Sequence, residues 1–400
     1  MSALDVFVSG ARVGLLERFD DLQYRFVFDE RWVNDPTHPV LGQIFEDLKP
    51  RSIDSTGNLP CWFDHLLPPP GSALRRAIAR QIGVESDDDF ALIDFLGADL
   101  PGAVVLAPGQ PSVAPRPAMP SAPAPRREGP LRFALAGMQW KLSLREQDRK
   151  LTLPLQGETG GVIAKFPSPT FRDLPRVELA TMLWARRAGI DVPPCWLAEA
   201  SDIDNLPDGV PVADGGVYVI ERFDRRPDGS RVHIEDLGQV LDVPADDRIY
   251  SGSYELIAAF LAYLPIEDLR AFVERLVFCV LCGNTDAHLK NWSIMYPDGR
   301  HPRLAPAYDV IASILYEAPR TARLALSLSG SMRFQDVSID SFRLMARVTR
   351  QPFGEVSRWA RQAAERVVTA WHEQAADFPY LAEERARIDA HLARIPLARG

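Results

Sequence analysis

An α+β fold in two lobes, strand-rich first and helical second, with a further small α+β unit in front, is the architecture this sequence predicts. Three observations predict it. The chain has 400 residues, 46% of them hydrophobic, which is too long for one compact core and supplies apolar material for several. The stretch Pro108–Pro130 is rich in Pro, Ala, Ser and Gly and cannot bury enough apolar surface to offset its ordering cost, so it reads as a linker or long surface loop. Behind it, strand-like runs dominate to about residue 225, and helical spacing dominates beyond residue 250.

These boundaries divide the chain into an N-terminal unit (1–107), the Pro-rich segment (108–130), a strand-rich lobe (131–228) and a helical lobe (229–400). In the first unit, Val6–Val8 and Tyr24–Phe28 read as strands, the second by its period-two alternation. Ser72 can cap a helix running to Gly83, with Leu74, Ile78 and Ile82 at helical spacing, and Ala91–Leu96 reads as another helix ending at Gly97. The second lobe offers strands at Leu131–Ala136, Lys141–Leu144, Gly161–Phe166 and Val217–Phe223. One helix interrupts them, Pro175–Ala188, stopped by Gly189 and Pro193-Pro194. The third part offers helices at Tyr254–Tyr263, Ile266–Cys282, Ile339–Thr349, Phe353–Phe378 and Ala382–Ile395.

Composition excludes several classes. The net charge of −9 argues against a dominant nucleic-acid surface, so DNA contacts would have to come from a partner. Cys279 and Cys282 form a C-x-x-C inside an apolar run with no second pair, which reads as buried core cysteine rather than zinc ligation. Met1–Val8 shows no basic region or long apolar stretch of a signal peptide, and no run of about 18 apolar residues occurs anywhere. A cytoplasmic location without membrane contact is the expectation.

Chemistry concentrates in Thr285-Asp286-Ala287-His288-Leu289-Lys290-Asn291, directly after the apolar helix. Gly283 and Asn284 end helices well, which puts Asp286 on a loop at the helix end. Phosphoryl transfer needs a carboxylate to orient the acceptor and oxygen ligands for Mg²⁺. Asp286 and Asn291 have the spacing of a kinase catalytic Asp and its metal-binding Asn, with His288 and Lys290 as further catalytic candidates between them. Asp309, on an apolar-flanked strand or turn, is a second metal-binding carboxylate candidate. Lys165 ends the apolar strand Val162-Ile163-Ala164 and is costly to place there unless its ammonium meets a counter-charge, which ATP phosphates would supply. An edge lysine snorkelling to water explains the same pattern. Glu178 on the following helix is its candidate ion-pair partner. Ala134-Leu135-Ala136-Gly137-Met138-Gln139-Trp140-Lys141 fits a loop over the phosphates or a plain hairpin turn. Tyr218–Arg225 joins the lobes and could offer backbone groups to adenine, or be an ordinary strand.

Together these segments resemble the HipA family of bacterial serine/threonine kinase toxins over almost the whole chain. Leu135–Gln139 with Lys141 looks like the family's phosphate loop, Ile163–Phe166 like its ATP-lysine strand, and Val219–Arg226 like its hinge. Thr285–Asn291 resembles its catalytic loop, Tyr308-Asp309-Val310 its metal-binding segment, and Trp62–Pro68 a motif of its N-terminal subdomain. The resemblance implies a protein-kinase-like fold and an ATP- and Mg²⁺-dependent kinase. Asp286 would be its base, Asn291 and Asp309 its metal ligands, and Ala136, Gly137, Gln139, Lys141 and Lys165 its phosphate contacts, with the backbones of Glu221 and Phe223 against adenine. It implies a helix-turn-helix antitoxin (HipB-like) as partner, contact with DNA only through that antitoxin, and protein substrates in translation, notably an aminoacyl-tRNA synthetase. One departure stands out: where several family members carry an autophosphorylated serine before the phosphate loop, this chain has Ala134.

Two other readings use the same residues. A small-molecule phosphotransferase of the aminoglycoside-kinase type shares the Asp–Asn pair, and a catalytically silent, antitoxin-binding pseudokinase would keep the fold alone.

Overall fold

The computed structural model describes residues 2–20, 22–111, 140–147, 150–152, 159–168, 170–171, 173–204, 206, 210–211, 216–317 and 321–399. Its elements follow the predicted order, strand-rich units before helices, around three hydrophobic cores.

The N-terminal unit contains β1 (Ser2–Val8), β2 (Ala11–Asp20), β3 (Gln23–Phe28), α1 (Glu30–Asn34), α2 (Gln43–Leu48), β4 (Ser52–Thr56), α3 (Cys61–Asp64), α4 (Ala73–Ile82), α5 (Asp89–Leu96) and β5 (Val104–Pro108). Its sheet runs β4-β3-β2-β1-β5. Sequence periodicity announces neither the central strand β2 nor β4 and β5. Val13 to Glu17 are consecutively buried, so the period-two signal of a half-buried strand is absent. Helix α4 is capped as expected, the Ser72 hydroxyl accepting from Arg75 N–H at 3.2 Å and Gly83 closing the helix at φ +72. The first residues of the Pro-rich segment continue this unit: Pro108 ends β5, and Gly109 N–H donates to the Ala3 carbonyl at 2.9 Å. Residues 112–130 of that segment, and the expected strand Leu131–Ala136, lie outside the described residues.

The second sheet consists of β6 (Lys141–Gln147), β7 (Lys150–Thr152), β8 (Val162–Lys165), β9 (Cys195–Ala198), β10 (Ile203–Asp204) and β11 (Val217–Glu221), in the order β10-β7-β6-β8-β11-β9, with α6 (Leu174–Arg187) between β8 and β9 in the chain. Strand alternation sorts its side chains. Val162, Ala164, Val217 and Val219 enter one small core, which Leu74 and Ala77 of α4 also pack against. Tyr218 and Ile220 point the other way, into the large core shared with α6 and the helical lobe. Lys165, in register with Tyr218, lies on that second face.

The helical lobe holds β12 (His233–Asp236), α7 (Leu237–Val240), α8 (Tyr254–Leu261), α9 (Ile266–Cys282), β13 (Ser293–Tyr296), β14 (Arg303–Leu304), α10 (Arg343–Val348), α11 (Phe353–Gln374) and α12 (Ala382–Leu392). The small sheet β12-β13-β14 is an addition to the sequence expectation, and the helix expected at Ile339–Thr349 begins as a 3-10 turn at Ile339–Phe342 before α10. Trp184 of α6 joins this core between Phe278 and Trp371, ring centroids 5.2 and 4.5 Å away. Cys279 and Cys282 are free thiols buried in α9. Among the described residues, no helix is long and apolar enough to cross a membrane.

Candidate active site

Strand pairing puts two lysines side by side. Lys141 on β6 and Lys165 on β8 are cross-strand partners, and like charges in that position repel. One carboxylate answers both. Asp309 meets the Lys165 ammonium through Oδ1 and the Lys141 ammonium through Oδ2, the latter at 2.7 Å. Lys165 also contacts Glu178 of α6, and its ammonium lies 5.4 Å from the Tyr218 ring centroid. Lys165 is 3% exposed and Glu178 4%, so neither snorkels to water. Burial opposes the lysine's charge, but Asp309 and Glu178 outweigh it and hold the ammonium protonated beyond its ordinary range. Burial would likewise raise the Asp309 carboxyl; Lys141 and Lys165 outweigh it and hold the carboxyl far below the usual range. Asp309 itself sits at φ +54, a left-handed backbone that Asp tolerates better than most residues. The segment before it is tied down: Arg275 of α9 donates to the Ala305 carbonyl at 2.6 Å, and Ala307 N–H to the Asp191 carbonyl at 2.8 Å.

Asp286 enters from the end of α9. Gly283 closes the helix at φ +75, where a Cβ would stand 2.6 Å from Ile314, so the turn requires glycine. Asn284 then caps the loop, its Oδ1 accepting from Asp286 N–H at 2.8 Å. Next to it, Thr285 bonds Ser313 and Glu317, its hydroxyl donating to Glu317 Oε1 at 2.5 Å. Among the described residues, no lysine bonds the Asp286 carboxylate. Its Oδ1 accepts from the Tyr250 hydroxyl at 2.5 Å, and burial pushes the carboxyl up to about 7, against the Tyr250 bond and with the charge of Asp309. Tyr250 carries no motif and was not among the residues expected from sequence.

The rest of the loop surrounds this carboxylate. Asn291 Nδ2 donates to the Asp286 carbonyl at 2.6 Å, which leaves its Oδ1 as a hard oxygen ligand. His288 is 2% exposed, and burial lowers it to about 3, so the ring is neutral. Its Nδ1 accepts from Lys290 N–H at 3.2 Å, which assigns the proton to Nε2, 3.9 Å from Asp286 Oδ1. The Lys290 ammonium instead donates to the His65 carbonyl of the N-terminal unit at 3.1 Å. Asp286, His288, Asn291, Lys141, Lys165 and Asp309 thus form one connected electrostatic cluster, while the Lys290 side chain serves the junction between units.

The lobe-joining strand β11 ends at Glu221. Glu221 N–H donates to the Pro194 carbonyl at 2.9 Å, and proline has no N–H to return that bond, so the Glu221 carbonyl lacks the reciprocal ladder donor. Phe223 lies 5.7 Å from Tyr308, the neighbour of Asp309. Ala136, Gly137 and Gln139 of the expected phosphate loop, and Ala134, lie outside the described residues.

The donor set fits a magnesium-nucleotide better than a metal alone. Among the described residues there is no group of three or more His, Cys, Asp or Glu placed to hold a metal ion. Asn291 and Asp309 carry oxygens of the kind that would hold Mg²⁺ if phosphates and water completed its shell. The two lysines beside Asp309 supply the cations that phosphates require.

Comparison with known proteins agrees along the full length. Residues 4–107 match the HipA N-terminal domain and residues 133–374 the HipA-like C-terminal domain. Y4dM of Sinorhizobium fredii, which carries a kinase name, is 36% identical over 412 residues, spanning 100% of this chain and 98% of its own. The serine/threonine-protein kinase toxin HipA of Shewanella oneidensis is 27% identical over 279 residues, 60% of each chain. In a solved complex of HipA, HipB and operator DNA from Shewanella oneidensis, the matching chain superposes with a TM-score of 0.71 at 21% identity, covering 99% of this chain and 96% of that one, which establishes a shared fold. With both halves of the family matched in order along one chain, this protein belongs to the HipA family of kinase-like proteins.

Proposed function

We propose that the chain is an ATP- and Mg²⁺-dependent serine/threonine protein kinase. The observation that carries this reading is the convergence of two cross-strand lysines on one half-buried carboxylate, alongside a second carboxylate that pairs with no lysine or arginine among the described residues. Without phosphates, Asp309 is the carboxylate that Lys141 and Lys165 share, with Glu178 as a second partner of Lys165. With a nucleotide, the lysines would take phosphate oxygens and Asp309 would turn, with Asn291, to the metal, whose contribution is to neutralise charge on the phosphates.

In this reading Asp286 orients the acceptor hydroxyl and accepts its proton. The Tyr250 hydroxyl holds Oδ1 and leaves Oδ2 toward the acceptor. A carboxyl titrating near 7 is matched to that task better than one at the ordinary carboxylate value. His288 offers a neutral N–H beside it, and the Glu221 carbonyl and the Phe223 backbone are the adenine contacts. The acceptor is a bacterial protein, for which the family resemblance suggests an aminoacyl-tRNA synthetase. A HipB-like helix-turn-helix antitoxin is the partner, a proposal motivated by the solved relative's complex with HipB and operator DNA. The acidic balance of −9 leaves DNA contact to that partner.

The test is transfer of labelled γ-phosphate from MgATP to proteins of a bacterial lysate, with products identified by mass spectrometry. Wild type should label at least one protein on serine or threonine and Asp286→Asn should label none. Equal labelling by both would remove the assigned base, and labelling of a metabolite with no protein would move the reading to a small-molecule kinase.

A further inference from the structure

One side chain of the N-terminal unit, which carries no catalytic group by sequence, bonds three groups of the strand-rich lobe around the candidate nucleotide site. Asp99 follows α5 in the loop before β5. Its Oδ1 accepts from Arg222 Nη1 at 3.1 Å and Arg225 Nη2 at 2.8 Å, and its Oδ2 from Gly160 N–H at 3.3 Å. Two of these partners lie near residues of the site in the chain. Arg222 follows Glu221, Gly160 leads into β8 and Lys165, and Arg222 Nη1 also donates to Ser143 Oγ at 3.0 Å, two residues along β6 from Lys141. Asp99 therefore ties the segment leading into β8 to the end of β11 directly, and reaches β6 at Ser143 through Arg222.

The surroundings are built for this. The side chains of Arg222 and Arg225 are 7% and 5% exposed and share Asp224 as well as Asp99, two guanidiniums against two carboxylates. Asp224 Oδ2 accepts from Gly102 N–H at 2.7 Å, and Arg225 donates back to the carbonyls of Leu100 and Gly102 at 3.0 and 2.9 Å. Gly102 is pressed close, since a Cβ there would stand 2.7 Å from Ile234 N. Without the Asp99 charge, two buried cations would share one carboxylate and separate.

We propose that Asp99 is a positioning residue for the nucleotide: loop 97–102 is a strut through which the N-terminal unit sets the spacing of the lobe-joining backbone and the two phosphate-facing lysines. The proposal rests on the kinase reading for its ligand, though the strut itself does not.

The experiment uses the full chain with Asp99→Asn, Asp99→Glu and, as a control on docking of the same unit, Glu235→Gln. Glu235 binds Trp62, Tyr296 and Gln43 at another part of the junction. MgATP affinity is measured by calorimetry, and amide exchange is followed at residues 141–147, 160–165 and 217–225. Asp99→Asn should weaken MgATP about tenfold, the loss expected for one charge-assisted bond, with turnover at saturating ATP little changed. Exchange in the three segments should quicken, Asp99→Glu should recover part of the loss, and Glu235→Gln should lower stability without the affinity change. Arg225→Lys, which keeps the charge and loses the forked geometry, should shift affinity in the same direction and serves if Asp99→Asn does not fold. Wild-type affinity and exchange in Asp99→Asn, or equal affinity losses in Asp99→Asn and Glu235→Gln, would overturn the strut. If the wild type binds no nucleotide, the kinase reading fails, and the exchange measurement still decides the strut.

Discussion

Asp286, 8% exposed, and Asp309, whose side chain is 23% exposed, are aspartates of the same cluster, yet their surroundings drive them in opposite directions. Asp309 lies on the strand-rich side, where sheet register delivers two ammonium groups to one carboxylate. Asp286 lies at the end of a helix, where the nearest help is a tyrosine hydroxyl and burial dominates. The contrast teaches that role follows environment. A carboxylate kept ionised at any physiological pH suits a cation site, and one that titrates near neutrality suits proton transfer.

The comparison breaks most visibly if its charged half is dismantled. Asp309→Asn leaves Lys141 repelling a Lys165 that retains only Glu178, and should cost about 3 kcal/mol of stability, below the largest buried-pair losses because Asp309 is partly exposed. Urea unfolding measures it, and a change under 1 kcal/mol, roughly the value of a surface pair, would show that the lysines do not depend on this carboxylate. The uncharged half predicts the opposite sign. The Asp286 carboxyl is raised in the folded state, so its favourable contribution is present at low pH and lost as pH rises through about 7. Asp286→Asn removes that titration. It should therefore be more stable than wild type by about 1–2 kcal/mol at pH 8, with the gap closing toward pH 4.

Much of this site was legible in sequence, for reasons that can be named. The Thr285–Asn291 run is local, so its spacing and its place after an apolar helix show directly in the chain. Lys165 was legible because a cation in an apolar strand calls for a counter-charge, and Glu178 and Asp309 supply it. The two-lobed α+β order was legible from where period-two and helical patterns fall. Tyr250 was not, because it stands 36 residues before Asp286 in a polar turn with no pattern, and only folding brings the two together. The Lys141–Asp309 pair, 168 residues apart, depends on register between β6 and β8 that no periodicity specifies. Strand β2 was hidden by burial on both faces, and Asp99 by lying in a unit whose sequence holds no catalytic grouping.

Two smaller effects sharpen the contrast. Tyr250 stabilises the ionised form of Asp286, so Tyr250→Phe should move the acid limb of kcat/KM for phosphate transfer upward from near 7 by about one pH unit. An unmoved limb would show that this limb belongs to another group. Smallest is Lys290→Met. Since its ammonium bonds the His65 carbonyl, it should cost about 1 kcal/mol of stability and reduce phosphate transfer only modestly. Abolished transfer in a well-folded Lys290→Met would return that side chain to the chemistry.

The division of labour between the two aspartates is tested most directly by measuring MgATP binding and phosphate transfer side by side in Asp286→Asn and Asp309→Asn. Asp286→Asn should bind MgATP as wild type does and transfer no phosphate, whereas Asp309→Asn should lose the magnesium-dependent part of binding. Loss of binding to the same degree in both variants, or wild-type transfer by Asp286→Asn, would contradict that division.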